Sequence, residues 1–151
     1  MTFVENEVRI AVPSERLFAY VTTPANWPEW HPSSLRVTGD ADHPLEIGES
    51  CTEEFVVAGR RGSCLWTVRE RIPGTRWVID TTTRGGYARV DYLLVPDHDE
   101  TIFTRTLSYR MPNVLLGLLD ALFIHRRIER ESTDAVARLK SRLESDSLVP
   151  V

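Results

Sequence analysis

The side chains most able to hold a charge or move a proton stand where the sequence forces them among apolar neighbours. Glu53, Glu70 and Arg105 fall in runs of alternating apolar and polar residues, at positions whose parity matches the apolar ones, and Tyr92 and Tyr109 share that parity in their own runs. A charge buried alone costs several kcal/mol. These three groups must therefore pair with one another, reach a rim or face a hydrated hollow. Two readings stay open: a structural Glu70–Arg105 ion pair or rim exposure, and a polar anchor for a bound molecule. His31 closes the segment Trp27-Pro28-Glu29-Trp30-His31, in which Trp30 offers an aromatic wall and the imidazole can give or take a proton near neutrality. The competing reading makes Trp27 and Trp30 plugs at the end of a core, with His31 satisfying backbone groups. His31, Tyr92 and Arg105 are thus the candidate proton donors or charge stabilisers, and no complete catalytic set is defined.

Other chemistries find less support. Cys51 and Cys64 have no basic neighbour in sequence and sit on adjacent strands out of alignment, so neither an activated thiol nor a disulfide is expected. No serine lies in a nucleophile elbow, and the scattered His31, His43, His98 and His125 form no metal motif, so neither metal nor cofactor is expected. The Gly59-Arg60-Arg61-Gly62 stretch reads as a hairpin turn, since a phosphate loop would precede a helix; its two arginines either greet an anionic ligand or simply face solvent. His125 and Glu129 lie one helical turn apart, and with Arg126, Arg127 and Arg130 beside them they read as an exposed, salt-bridged face.

Composition narrows the class further. The 151 residues carry 42% apolar residues and a net charge of −4, enough for one core and contrary to phosphate-driven nucleic-acid binding. The opening Met1-Thr2-Phe3-Val4-Glu5 resembles no signal peptide, which points to the cytoplasm. The longest apolar run, 114–124, is interrupted by Gly117 and Asp120 and is far short of the roughly 20 residues that cross a bilayer. It reads as part of a buried helix, with a membrane-touching lid as the alternative; stable membrane insertion is not expected. A homodimer is left open.

The elements that position these groups follow from periodicity. Thr2 to Val12 alternates as a half-buried strand with its even-numbered face inward, and Ser14 looks like the N-cap of a short helix that Pro24 stops. Residues 25–32 form a short helix or loop covering one end of the core. Six β-rich runs follow at 35–38, 46–57, 62–72, 75–83, 86–95 and 101–110. After Pro112 one long helix is predicted, capped by Asn113 and fading after Glu144, with Leu115, Leu118, Leu119, Leu122, Ile128, Val136, Leu139 and Leu143 at helical spacing. Residues 1–145 then make one domain and 146–151 a tail.

Hairpin registers test this reading, because opposed positions sum to a constant set by the turn. A turn at Gly59–Arg60 sets Phe55 opposite Cys64 and Glu53 opposite Trp66; one at Pro73–Gly74 sets Val68 opposite Ile79 and Glu70 opposite Trp77. Turns at Arg84–Gly85 and Asp97–Glu100 set Trp77 opposite Tyr92 and Leu94 opposite Phe103. One face collects the large residues, the other Thr, Arg and Asp. Trp30, Glu53, Phe55, Trp66, Glu70, Trp77, Tyr92, Phe103, Arg105 and Tyr109, with Leu119 and Phe123 from the helix, are the expected binding residues.

The phrases Ala11-Val12-Pro13-Ser14-Glu15-Arg16-Leu17-Phe18-Ala19-Tyr20-Val21 and Asn26-Trp27-Pro28-Glu29-Trp30-His31, then Leu45 with Gly48, Thr101, Tyr109 with Pro112, and the closing Leu139-Lys140 and Leu143-Glu144, resemble the START-like (SRPBCC, Bet v 1-like) superfamily and within it the polyketide cyclase/dehydrase family. The resemblance implies an α+β helix-grip fold, β-α-α-β6-α, with a curved seven-stranded antiparallel sheet around a long C-terminal helix and a hydrophobic cavity between them. It implies no particular ligand. Three functions are carried forward: binding of a small hydrophobic or amphipathic molecule such as a lipid, polyketide or aromatic metabolite; a polyketide cyclase, dehydratase or aromatase using the same cavity; and an interaction module without ligand.

Overall fold

The computed structural model describes residues 1–148. Seven strands form one antiparallel sheet in the order β1-β7-β6-β5-β4-β3-β2: β1 Thr2–Ile10, β2 Ser34–Thr38, β3 Ser50–Val57, β4 Arg60–Ile72, β5 Arg76–Thr82, β6 Tyr87–Asp97 and β7 Glu100–Arg110. Helices α1 (Ser14–Val21) and α2 (Trp27–Trp30) separate β1 from β2, and the chain ends in α3 (Val114–Leu119), a π turn (Asp120–Ile124) and α4 (His125–Leu148). This is the helix-grip arrangement. Of the tail expected at 146–151, the backbone of 146–148 continues α4, and 149–151 lie outside the described residues.

Several local expectations need correction. Pro13, not Ser14, precedes the first helical residue of α1, and no side chain caps that end. The β3–β4 turn is Ala58–Gly59, where both residues take positive φ (50° and 79°), as a two-residue hairpin turn of this hand demands. Glu131 of α4 accepts the Ala58 N–H at 3.2 Å and helps hold that uncommon backbone. The register accordingly pairs Glu53 with Cys64 and Phe55 with Gly62, two residues from the expected partners. An even shift leaves every side chain on its expected face.

The β4–β5 pair behaves differently. Val68 opposes Ile79 as expected, but a bulge between Val68 and Glu70 then sets Glu70 opposite Val78 and Arg71 opposite Trp77. One extra residue reverses the facing of everything beyond it. Glu70 therefore points away from the cavity, half exposed and 3.3 Å from Arg76, and the proposed Glu70–Arg105 pair does not exist. On that outer face Arg69 also pairs with Asp80 and Arg76 with Asp91, each at 2.8 Å.

On the concave face, aromatic packing closes one end. Trp77 stacks on Tyr92 (5.5 Å between centroids), Tyr92 meets Phe103 (5.2 Å), and Trp27 meets Trp77 edge-on (6.2 Å). Trp27 and Trp77 donate their indole N–H to the carbonyls of Val21 and Leu45, so both rings are fixed as well as buried. The distal half of α4 completes this core through Val136, Leu139 and Leu143, while Glu29 joins Tyr20 (2.7 Å) to Arg142 (3.0 Å).

Trp77→Ala should destabilise the chain by about 3–5 kcal/mol in urea unfolding, whereas Glu70→Ala should stay within about 0.5 kcal/mol of the parent. A multi-kcal loss at Glu70 would contradict the bulge.

Candidate functional site

Beyond the aromatic layer the helix stands away from the sheet and leaves a cavity of about 380 Å³. Its walls are the inner residues of β3 to β7, the end of α2, and the inner side of the segment from Met111 to Ser132. It reaches the surface beside Arg60, Arg61 and Arg110, all exposed. Phe55 can lie across β4 because Gly62 opposes it: a Cβ there would stand 2.9 Å from the ring.

The polar end is built around Arg105. Its register position opposite Tyr92 is as expected, and the residue is only 6% exposed. One guanidinium nitrogen donates to Ser132 Oγ at 3.3 Å, Nε is buried without a partner, and no carboxylate among the described residues lies within salt-bridge distance. Glu53, whose charge interacts with that of Arg105, accepts the Trp66 indole N–H at 3.0 Å. Burial raises the Glu53 carboxyl above its ordinary range, against the pull of Ser34, Trp66 and Arg105.

His31 is driven the other way. Burial first, then the positive charges of Arg105 and Arg138, hold its pKa well below the usual imidazole value. Nδ1 accepts the Ser33 N–H at 3.1 Å, which assigns the proton of the neutral ring to Nε2. Burial pushes the Tyr92 hydroxyl up to about 12 although Arg105 opposes it, so Tyr92 is a donor at neutral pH. The Cys64 thiol on the same wall is likewise raised to about 12, and both cysteines are free.

A second polar group latches the start of the helix. Tyr109 donates to Asp120 Oδ1 at 2.7 Å and approaches His125 Nδ1 at 3.1 Å, and His125 Nε2 meets Glu129. Asp120 is buried by this contact. The expected exposed face is present in part: His125 and Glu129 form the ion pair and Glu129 is exposed, but the imidazole also turns to Tyr109, and Arg126, Arg127 and Arg130 pair with no carboxylate among the described residues.

Of the expected binding residues, Trp30, Glu53, Phe55, Trp66, Tyr92, Arg105 and Tyr109 line the cavity, as does the catalytic candidate His31. Trp77 and Phe103 lie in the solid aromatic core behind it, and Glu70 is outside. Leu119 and Phe123 are corrections of another kind. Both face outward, and Leu116, Ile124 and Ile128 supply the lining instead. Ser132, Asp120 and Glu131 were not singled out by the sequence; only Asp120 gave a signal, as an acid inside an apolar run. Away from the cavity, Asp40, Asp42 and His43 bring ligand atoms within 4.8 Å of one another, but the group is largely exposed and His43 already contacts Glu49 at 2.9 Å.

Among solved structures the chain is similar to TTHA0849 from Thermus thermophilus, with a TM-score of 0.77 and 15% identity over 97% of this chain and 99% of that one. It is also similar to the di-domain ARO/CYC BexL from the BE-7585A biosynthetic pathway, with a TM-score of 0.73 and 18% identity over 99% of this chain and 48% of that one. The protein Ara h 8.0201 matches with a TM-score of 0.66 and 13% identity, over 95% of this chain and 98% of that one. These likenesses establish the fold. No curated protein sequence matches. The sequence model described as polyketide cyclase/dehydrase and lipid transport matches residues 1–144, and the chain belongs to that family.

Proposed function

We propose that the chain binds a small hydrophobic or amphipathic molecule, such as a lipid, polyketide or aromatic metabolite, with its apolar body against Phe55, Trp66 and Ile128 and an oxygen-bearing end at Arg105. The observation that carries this is the buried guanidinium with no carboxylate in salt-bridge distance among the described residues, facing a cavity within the size range of small-molecule sites. A carboxylate, enolate or polarised carbonyl on the guest would supply what Glu53, which accepts the Trp66 indole N–H, does not.

One observation favours a second reading. An imidazole held low, a protonated phenol and a carboxyl raised above its ordinary range surround the same cation, which suits a cyclase, dehydratase or aromatase that moves protons while Arg105 stabilises an enolate. BexL is described as an ARO/CYC protein, which supports this alternative by fold likeness alone.

Native mass spectrometry of protein purified from its source should show a small co-bound mass; repeated absence of any adduct would favour an interaction module. Dodecanoate, an apolar chain with one carboxylate, serves as a defined probe for calorimetry. Losing a charge-assisted hydrogen bond costs about 1.5–3 kcal/mol, so Arg105→Met should weaken dodecanoate roughly ten- to a hundredfold. Under the enzymatic reading the same variant abolishes turnover of a poly-ketone and leaves much of its binding. Unchanged affinity for dodecanoate would remove Arg105 from the site.

The Glu53 shift gives a pH dependence with a definite sign. Its native pKa lies above the unfolded 4.5, so as pH rises through that window the unfolded chain gives up the proton first and stability falls. The ionised carboxylate also offsets Arg105, so affinity for dodecanesulfonate, an anion that does not titrate in this range, should decline as pH rises through the native value. Glu53→Gln should flatten both trends in melting curves and calorimetry; a parent chain whose affinity instead climbs with pH would contradict the assignment.

A further inference from the structure

The segment 114–124 is apolar on both sides. Leu116 and Ile124 face the cavity, while Val114, Leu115, Leu118, Leu119, Leu122 and Phe123 turn outward with 37–91% of their surface exposed. A helix apolar all round is stable only when both faces are covered. Eleven residues cannot cross a bilayer, so a lipid surface would cover the outer face by lying along it.

The charge around this patch says which surface. Arg60, Arg61 and Arg110 ring the cavity mouth; Arg84 stands in the β5–β6 turn, whose Gly85 abuts Pro112; Arg127 lies over Gly59; Arg126 and Arg130 follow on the next turns of α4. All seven are exposed and none has a carboxylate within salt-bridge distance among the described residues, although the chain as a whole is acidic. The ion-paired Arg9, Arg69, Arg76 and Arg89 lie elsewhere, on the sheet. A two-fold contact through the same patch would bring these unpaired arginines against their copies, which disfavours self-association. An anionic bilayer satisfies both features, taking the leucines and Phe123 among its acyl chains and the arginines among its phosphates.

We propose that the outer face of 114–124, with the arginines around it, docks the cavity mouth on an anionic phospholipid surface. This goes beyond the cavity reading and stands on outward side chains alone. Because the same segment walls the cavity, docking sets the opening at the level of the phosphates, directly above the acyl chains, where an amphipathic guest has a short path between bilayer and cavity.

Flotation with vesicles tests it. The chain should float with vesicles of equal parts phosphatidylcholine and phosphatidylglycerol, remain unbound with phosphatidylcholine alone, and release as salt is raised. Leu118→Asp with Phe123→Asp should lower partitioning at least about tenfold, because two apolar contacts are lost. Arg126→Gln with Arg127→Gln should lower it by about fivefold per arginine removed. Both double variants should keep the parent's unfolding midpoint and its affinity for dodecanoate in vesicle-free solution, so the docking face and the cavity can fail separately. No flotation of the parent with either vesicle overturns the proposal, as does binding that the aspartates leave intact. A concentration-dependent dimer split by Phe123→Asp would assign the face to a second copy and overturn it equally.

Discussion

A guanidinium buried on the concave wall, with hydroxyl partners and no carboxylate within salt-bridge distance among the described residues, is the constraint around which the site is organised. Water would solvate Arg105 well, so its burial opposes folding unless something polar shares the space. Glu53 is no ion-pair partner for it: burial raises that carboxyl above its ordinary range, and it accepts the Trp66 indole N–H. Burial also keeps His31 neutral. Burial therefore sets the direction in which each neighbour titrates, with Arg105 reinforcing it at His31 and opposing it at Glu53 and Tyr92, and the cation's Nε is left without an oxygen acceptor inside an apolar chamber.

That chamber exists because the molecule is solid at one end and hollow at the other. Trp27, Trp77, Tyr92 and Phe103 interlock beneath the distal half of α4, and two indole N–H groups are tied to carbonyls, so this end can hold the sheet's curvature without help from a ligand. At the other end the chain interposes a π turn at Asp120–Ile124, and the Tyr109–Asp120–His125 contacts hold the helix by its polar groups instead of by leucine packing. The outward leucines follow from this geometry. A helix tethered over a hollow presents its apolar residues to both sides.

Much of this was legible in residue parity. Alternation placed Trp66, Tyr92, Arg105 and Tyr109 on one wall, and the Tyr92–Arg105 pairing followed from turn length alone. Even the misplaced β3–β4 turn cost nothing in facing, because the register moved by two. Glu70 was illegible for the opposite reason. A bulge inserts one residue, and in the all-charged stretch Arg69-Glu70-Arg71 no apolar side chain marks where the inversion falls. Its consequence is that Arg71 takes the inward place, with its guanidinium 5.6 Å from the Phe18 ring. Leu119 and Phe123 escaped because helical periodicity identifies an inner face only where an outer polar face exists for contrast. Ser132 had no signal at all, since its role depends on α4 passing over β7 at Arg105.

The central claim is most directly tested by following the Arg105 side-chain Nε–H resonance while dodecanoate is added. A saturable shift, with slower exchange of that proton with water, is predicted as the carboxylate supplies the acceptor the protein lacks. A resonance that stays fixed while the aromatic rings of the cavity respond would place the guest elsewhere and contradict the account.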